Sequence, residues 1–203
     1  MVKNNCQYAI IETTSQGIEQ FSHKFINYDI LIFTGLYPEH IEAHGGFEDY
    51  KQAKGKLFFH LKQGKTKYAD DKKRVIMAEN GFKKIEANRV KKIIIANGDD
   101  KYADFFLSFW AEEKWKYTNG NELKMKSTND KTHIVKYGDV KSSQGGVSFK
   151  IDNTEIKLNL LGEYNAANAM NAICLGLSQG IKLEKIKVGL KKIKGVPGRM
   201  ELI

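Results

Sequence analysis

Cysteine and proline are nearly missing from these 203 residues, with two of each. Cys6 and Cys174 stand far apart and make no metal or redox spacing, so they read as reduced structural thiols. Pro38 and Pro197 are the only prolines, and no linker separates one part of the chain from another. Long apolar runs are absent too. None approaches the roughly 20 residues of a membrane span, and the opening MVKNNCQYAII lacks the apolar core of a signal peptide. A cytoplasmic location with no membrane partner is the expectation. Internal repeats and low-complexity tracts are also lacking.

What remains is ordinary for a globular domain, with 41% apolar and 28% charged residues and enough length for a real core. The net charge of +9 suits a polyanionic partner such as a nucleotide or a phosphorylated substrate. Much of that charge lies in LKQGKTKYADDKKR and FKKIEANRVKK, which read as solvated faces of helices and turns. No aromatic-interleaved basic motif accompanies it, so nucleic acid is not an expected partner.

The first half alternates short β-rich runs with helical patterns. YAII (8–11), DILIF (29–33), RVIMA (74–78) and KIIIA (92–96) have the continuous apolar character of strands covered on both faces. Between them fall a short segment after Gly17, a long helix from about Phe47 and another after Ala78. This predicts an α/β fold with a mostly parallel, doubly wound sheet and flanking helices. Ligands in such sheets sit beyond the carboxyl ends of the strands, which directs attention to 12–16, 34–44 and 97–100. From about 132 the period changes to strict alternation. VSFKI and EIKLNL around the turn residues DNT predict a small antiparallel hairpin. A helix follows in YNAANAMNAICLGLSQG, with Ala166, Met170, Ile173 and Leu177 on its buried stripe and Gly180 as its C-terminal cap, and then a second over about 183–192.

Four stretches carry chemistry. GKT at 64–66 is not a phosphate loop, because the required glycine five residues earlier is Phe59 and a helix precedes it; Gly64 reads as the end of that helix. PEHIEAH sets His40 and His44 four apart, and His40 follows the strand DILIF closely. IETTSQG places Glu12 and three hydroxyls at a strand end, either an ordinary polar loop or a magnesium ligand beside groups for phosphate or sugar oxygens. Asn165 and Asn168, three apart on a first helical turn, are either local caps or an amide pair for a base or ribose. In FEDYKQAKGKLFFHL, Phe47, Tyr50, Leu57 and Leu61 mark a buried stripe, and its remaining place is Lys54. That lysine either snorkels its ammonium to water or has work to do.

In this order, IETTSQG, FTGLYPEHIEAHGGFEDYKQAKGKLF, ANGDD, GEYNAANAMNA and GVPGRMELI resemble the central ATP-binding domain of the Mur ligases, over nearly the whole chain. The wording is similar to the branch that adds the third residue to the peptide of UDP-N-acetylmuramoyl-dipeptide. In that family a substrate carboxylate attacks the γ-phosphate of ATP, and a free amino acid then displaces phosphate from the acyl phosphate to form an amide. The resemblance implies a cytoplasmic, monomeric ligase using ATP and Mg2+. It implies Glu12 and His40 as magnesium ligands and Lys54 as a lysine carbamylated by carbon dioxide, its carbamate suited to a second magnesium ion or to the phosphoryl oxygens. It further implies Asn165 and Asn168 at adenine and ribose, Arg199 near the nucleotide phosphates, and Thr13, Thr14, Ser15 and Gln20 at the UDP-sugar substrate. A lysine partly removed from water gives up its proton more readily, which suits carbamylation.

There are departures. Thr14, Ser15 and Gln16 replace the relatives' SSH, Ser22 replaces an arginine, Gly35 an asparagine, and Glu39 an aspartate. The family's upstream phosphate loop and its C-terminal amino-acid-binding domain are expected outside residues 1–203, which are read as part of one central domain with little ligase turnover on their own. Two rivals remain: another ligase of the superfamily, of the folylpolyglutamate synthase or cyanophycin synthetase type, and a non-catalytic relative binding nucleotide or nucleic acid.

Overall fold

Ile93–Asn97 is buried at every position, and it can only be the inside of a sheet covered on both faces. In the computed structural model, which describes residues 3, 6–38, 41–69, 74–77, 83–86, 89–120 and 132–195, that is its place. Taking the strands in chain order, β1 is Ile30–Phe33, β2 Lys67–Tyr68, β3 Arg74–Met77, β4 Lys83–Glu86, β5 Arg89–Val90 and β6 Ile93–Asn97. They are followed by β7 (Glu113–Asn119), β8 (Thr132–Ser143), β9 (Gly146–Ile151) and β10 (Thr154–Leu158). The helices are α1 (Ser15–Glu19), α2 (Phe47–Gln63), α3 (Ala103–Leu107), α4 (Tyr164–Ser178) and α5 (Leu183–Lys191). The main sheet has six strands in the order β1-β6-β7-β8-β9-β10. The first four are parallel, and β8, β9 and β10 run antiparallel.

Alternation along β6 assigns its two faces. Ile94 and Ala96 join Leu31, Phe33, Phe58 and Phe106 under α2 and α3. Ile93 and Ile95 join Tyr117, Val147, Phe149, Met170 and Ile173 under α4 and α5. Helix α2 begins with Glu48 and Asp49 and ends with His60 and Lys62, matching its dipole. Gly64 ends it as expected, but in an extended conformation: a Cβ there would lie 2.5 Å from Asn27 Oδ1, so space rather than φ selects glycine. The hairpin β9–β10 turns at Asp152, whose φ of 49° is left-handed. Helix α4 ends at Gly180 with φ 73°, as its cap chemistry predicts.

Three expectations are corrected. Residues 8–11 form no strand, and Tyr8 and Ile10 are 82% and 94% exposed; among the described residues β1 pairs with β6 alone. Residues 74–77 are a strand, but in a two-stranded antiparallel ribbon with β4 rather than in the parallel sheet. The helix expected after Ala78 gives way to β4 at Lys83–Glu86, residues 78–82 lying outside the described ones. A further strand, β7, lies where no apolar run marks it, its lysines alternating with Trp115 and Tyr117.

Two buried charges tie the sheet together. Lys92 donates to Asn27 Oδ1 at 2.8 Å, to the Tyr28 carbonyl and to Asp29, joining the starts of β1 and β6. Lys116 in β7 reaches Asp104 of α3 at 2.9 Å. His23, 4% exposed in the 3-10 turn Ser22–Phe25, packs edge-on against His60 at 5.2 Å, with Nδ1 unpartnered. Burial first, then His60 and Lys24, lower its pKa below the usual 6.5.

Two outcomes are expected. Ile95→Ala lowers unfolding stability by about 2–5 kcal/mol in denaturant titration, since the strand cannot collapse onto the gap. Below pH 6.5 the unfolded chain takes up a proton at residue 23 that the folded chain resists, so stability falls with pH by at most about 1.4 kcal/mol per unit. In His23→Gln that part of the slope disappears, which melts between pH 5 and 7 would show.

Candidate functional site

The carboxyl ends of the parallel strands meet at the loops after β1, β6 and β7. Asn97 donates to the Thr34 carbonyl at 3.2 Å, and Asp100 accepts from the Leu36 amide at 2.7 Å and the Tyr102 amide at 2.8 Å. Asp99 accepts from the Thr118 hydroxyl at 2.6 Å, the Asn119 amide at 3.1 Å and the Tyr137 hydroxyl at 3.4 Å. Burial and the Asp99 charge hold the Tyr137 phenol well above its ordinary range. Gly98 leaves no room for a side chain, since a Cβ would lie 2.7 Å from the Tyr117 carbonyl oxygen. The acid pair of NGDD is therefore a set of ties between strand ends, and both its carboxylates are engaged.

A second group lies where α1 meets α2. Thr14 caps α1, its Oγ1 accepting from the Gly17 amide at 3.1 Å. That cap leaves Ser15 on the inner side of the turn, 5% exposed, where its Oγ shares a 3.0 Å hydrogen bond with His44 Nε2. The His44 ring lies 5.5 Å from the Tyr50 ring, and Lys54 Nζ stands 5.2 Å from the centre of that same ring. A continuous line of groups thus runs Ser15, His44, Tyr50, Lys54. Beside it opens a cleft of about 320 Å³ lined by Glu19, His44, Asp49, Gln52 and Lys56, with Lys56 and Glu19 paired at 2.8 Å.

The predicted residues fall out unevenly. Lys54 is half-buried beside the stripe rather than in it: the deeply buried position is Ala53, 1% exposed, together with Tyr50, Leu57 and Leu61. Glu12 and Gln20 are exposed, and Thr13 is half-buried. Asn165 donates to the Leu161 carbonyl at 2.7 Å and accepts from Asn168 at 3.1 Å, so the two amides are joined locally at the start of α4. They ride on a helix packed against the opposite face of the sheet from α2. His40 and Arg199 lie outside the described residues. Tyr50 belongs to the site as well as to the core, and the sequence signal for it is its i,i+4 spacing to Lys54 on one helix face. Cys6 and Cys174 are both free, and burial pushes the Cys174 thiol up to about 12, as a structural thiol requires.

Among the described residues no group of three or more His, Cys, Asp or Glu is placed to hold a metal ion. Glu12 is a single accessible hard-oxygen donor. That suits a magnesium ion which keeps waters and shares phosphate oxygens, and it does not make a protein cage. No helix among the described residues is long and apolar enough to cross a membrane.

Known proteins resolve the class of this architecture. A solved UDP-N-acetylmuramoyl-L-alanyl-D-glutamate–2,6-diaminopimelate ligase superposes with TM-score 0.72 at 21% identity over 99% of this chain and 35% of that one. A pseudomurein peptide ligase type C from Methanothermus fervidus gives 0.57 at 20% identity over 89% of this chain and 37% of that one. The fold is that of these ligases' shared α/β unit. The family model for the Mur ligase middle domain matches residues 1–86 and 67–176, and the chain belongs to that family. It is similar to a UDP-N-acetylmuramyl-tripeptide synthetase of Roseiflexus sp. (strain RS-1), 27% identical over all of this chain and 36% of that protein. The UDP-N-acetylmuramoyl-L-alanyl-D-glutamate–2,6-diaminopimelate ligase of Clostridium tetani (strain Massachusetts / E88) is 28% identical over all of this chain and 34% of its own length. This chain thus spans about a third of these curated relatives.

Removing the Asp99 ties in Asp99→Ala is expected to cost about 1–2 kcal/mol, because the group stays partly solvated. Asp99→Asn, which keeps an acceptor, costs less, and a denaturant series on both variants checks the order.

Proposed function

We propose that residues 1–203 serve as the central nucleotide-handling part of an ATP-dependent acid–amino acid ligase, one that adds the third amino acid to UDP-N-acetylmuramoyl-dipeptide in the cytoplasm. The line Ser15, His44, Tyr50, Lys54 carries this reading, because it joins a polar substrate-side hydroxyl to a half-buried lysine along one wall. In the overall reaction a peptide carboxylate attacks the γ-phosphorus of ATP and ADP leaves. The amine of the incoming amino acid then attacks the acyl carbon, losing a proton as phosphate departs. Magnesium, when bound, supplies positive charge to the phosphoryl oxygens.

The chain's own groups have separate tasks. Lys54, deprotonated, takes up carbon dioxide and releases a proton, leaving a carbamate held beside Tyr50. Glu12 and His40 are the donors proposed for magnesium, and Asn165, Asn168 and Arg199 those proposed for the nucleotide. Thr13, Thr14, Ser15 and Gln20 face the UDP-sugar in this reading; Ser15 is oriented by His44, and the Thr14 Oγ1 is already taken as the helix cap. The GKT pattern is broken by Phe59, so the β- and γ-phosphates are not expected to be cradled there and little turnover is expected from residues 1–203 alone.

Thermal shift with UDP-N-acetylmuramoyl-dipeptide is the test. At a hundred times Kd the expected rise is about 5–10 °C, with none from a folate. A shift with folate alone moves the chain to the folylpolyglutamate branch, and a shift with neither contradicts the proposal.

A further inference from the structure

Residues 182–194 read KLEKIKVGLKKIK, six lysines to one glutamate. Helix α5 turns Ile186 and Leu190 into the core and carries Lys185, Val188 and Lys192 on its outer side. Val188 is 58% exposed, and Ile181 and Ile193 at the two ends are 40% and 43% exposed. Elsewhere several lysines are matched with acids, as Lys51, Lys56, Lys92, Lys116 and Lys150 are. Among the described residues none of the six in this stretch makes an ion pair. The helix dipole accounts for Lys191 and Lys192 at its C-terminal end, but it disfavours Lys182 and Lys185 at the other.

We propose that this face is a peripheral docking surface for an anionic lipid bilayer. The lysines complement headgroup phosphates, and Val188 and Ile193 are aliphatic groups of the right reach for the headgroup–acyl boundary. A nucleic acid would engage the same lysines but would gain nothing from exposed valine and isoleucine, and residues 181–195 hold no aromatic side chain on which bases stack. The missing apolar run removes a membrane span, not attachment of this kind. Docking leaves α5 packed as it is, with its inner face still in the core.

Co-flotation with vesicles tests the surface directly. The chain is expected to float with phosphatidylglycerol-containing vesicles, to stay behind with phosphatidylcholine alone, and to be released by salt. Each lysine is worth about a five-fold factor at an anionic surface, so Lys185→Glu with Lys192→Glu weakens binding by more than about 25-fold. Val188→Asp weakens it as well. All three positions are exposed, and unchanged melting of the variants shows that folding is intact. Equal binding to both vesicle types, or none to either, overturns the proposal. So does duplex DNA binding that survives Val188→Asp while vesicles fail to bind.

Discussion

Burial of β6 on both faces is the constraint from which the rest follows. Five consecutive residues without solvent require a strand on each side and a helical layer above and below. β1 and β7 supply the backbone partners. Alternate side chains then belong to two separate cores, one closed by the aromatic layer Phe58, Phe106 and Phe33, the other by α4 with Met170 and Ile173. The functional groups sit at the edges of these layers because a polar group buried inside them demands a partner or costs free energy.

That demand explains why so many tempting residues turn out to be structural. Asp99 and Asp100 stand at the carboxyl end of β6, where ligands are expected, yet their oxygens are spent on amides and hydroxyls that end the strands. Lys92 and Lys116 are 4% and 5% exposed, deeper than Lys54, and each sits against a carboxylate. Lys54 stands at a core margin over the Tyr50 ring, which also packs near His44, the partner of buried Ser15.

Where a local pattern and its burial agreed, the sequence was readable. The runs at 29–33 and 92–96, the helix from Phe47, the hairpin at 146–158 and the helix with its cap at Gly180 all had one consistent period. The misreadings came where period and context parted. YAII has the composition of a strand, but among the described residues no strand pairs with it. RVIMA found an adjacent antiparallel partner in β4, which composition does not reveal. β7 was hidden because Lys116, buried by a long-range pair to Asp104, breaks the apolar run that marks its neighbours. In the site, motif order pointed to Lys54 and Ser15, whereas the His44 and Tyr50 bridge between them depends on how α1 meets α2, a contact written in no single stretch.

The chemistry proposed for this wall turns on whether Lys54 carries a carboxylate. The most direct measurement is carbon NMR of the folded chain in labelled bicarbonate with magnesium, alongside Lys54→Ala. A carbamate carbonyl signal present in the parent protein and lost in the variant is the expected result. A bare amine under the same conditions, with identical spectra for the two proteins, would contradict it and leave Lys54 as a cation resting on Tyr50.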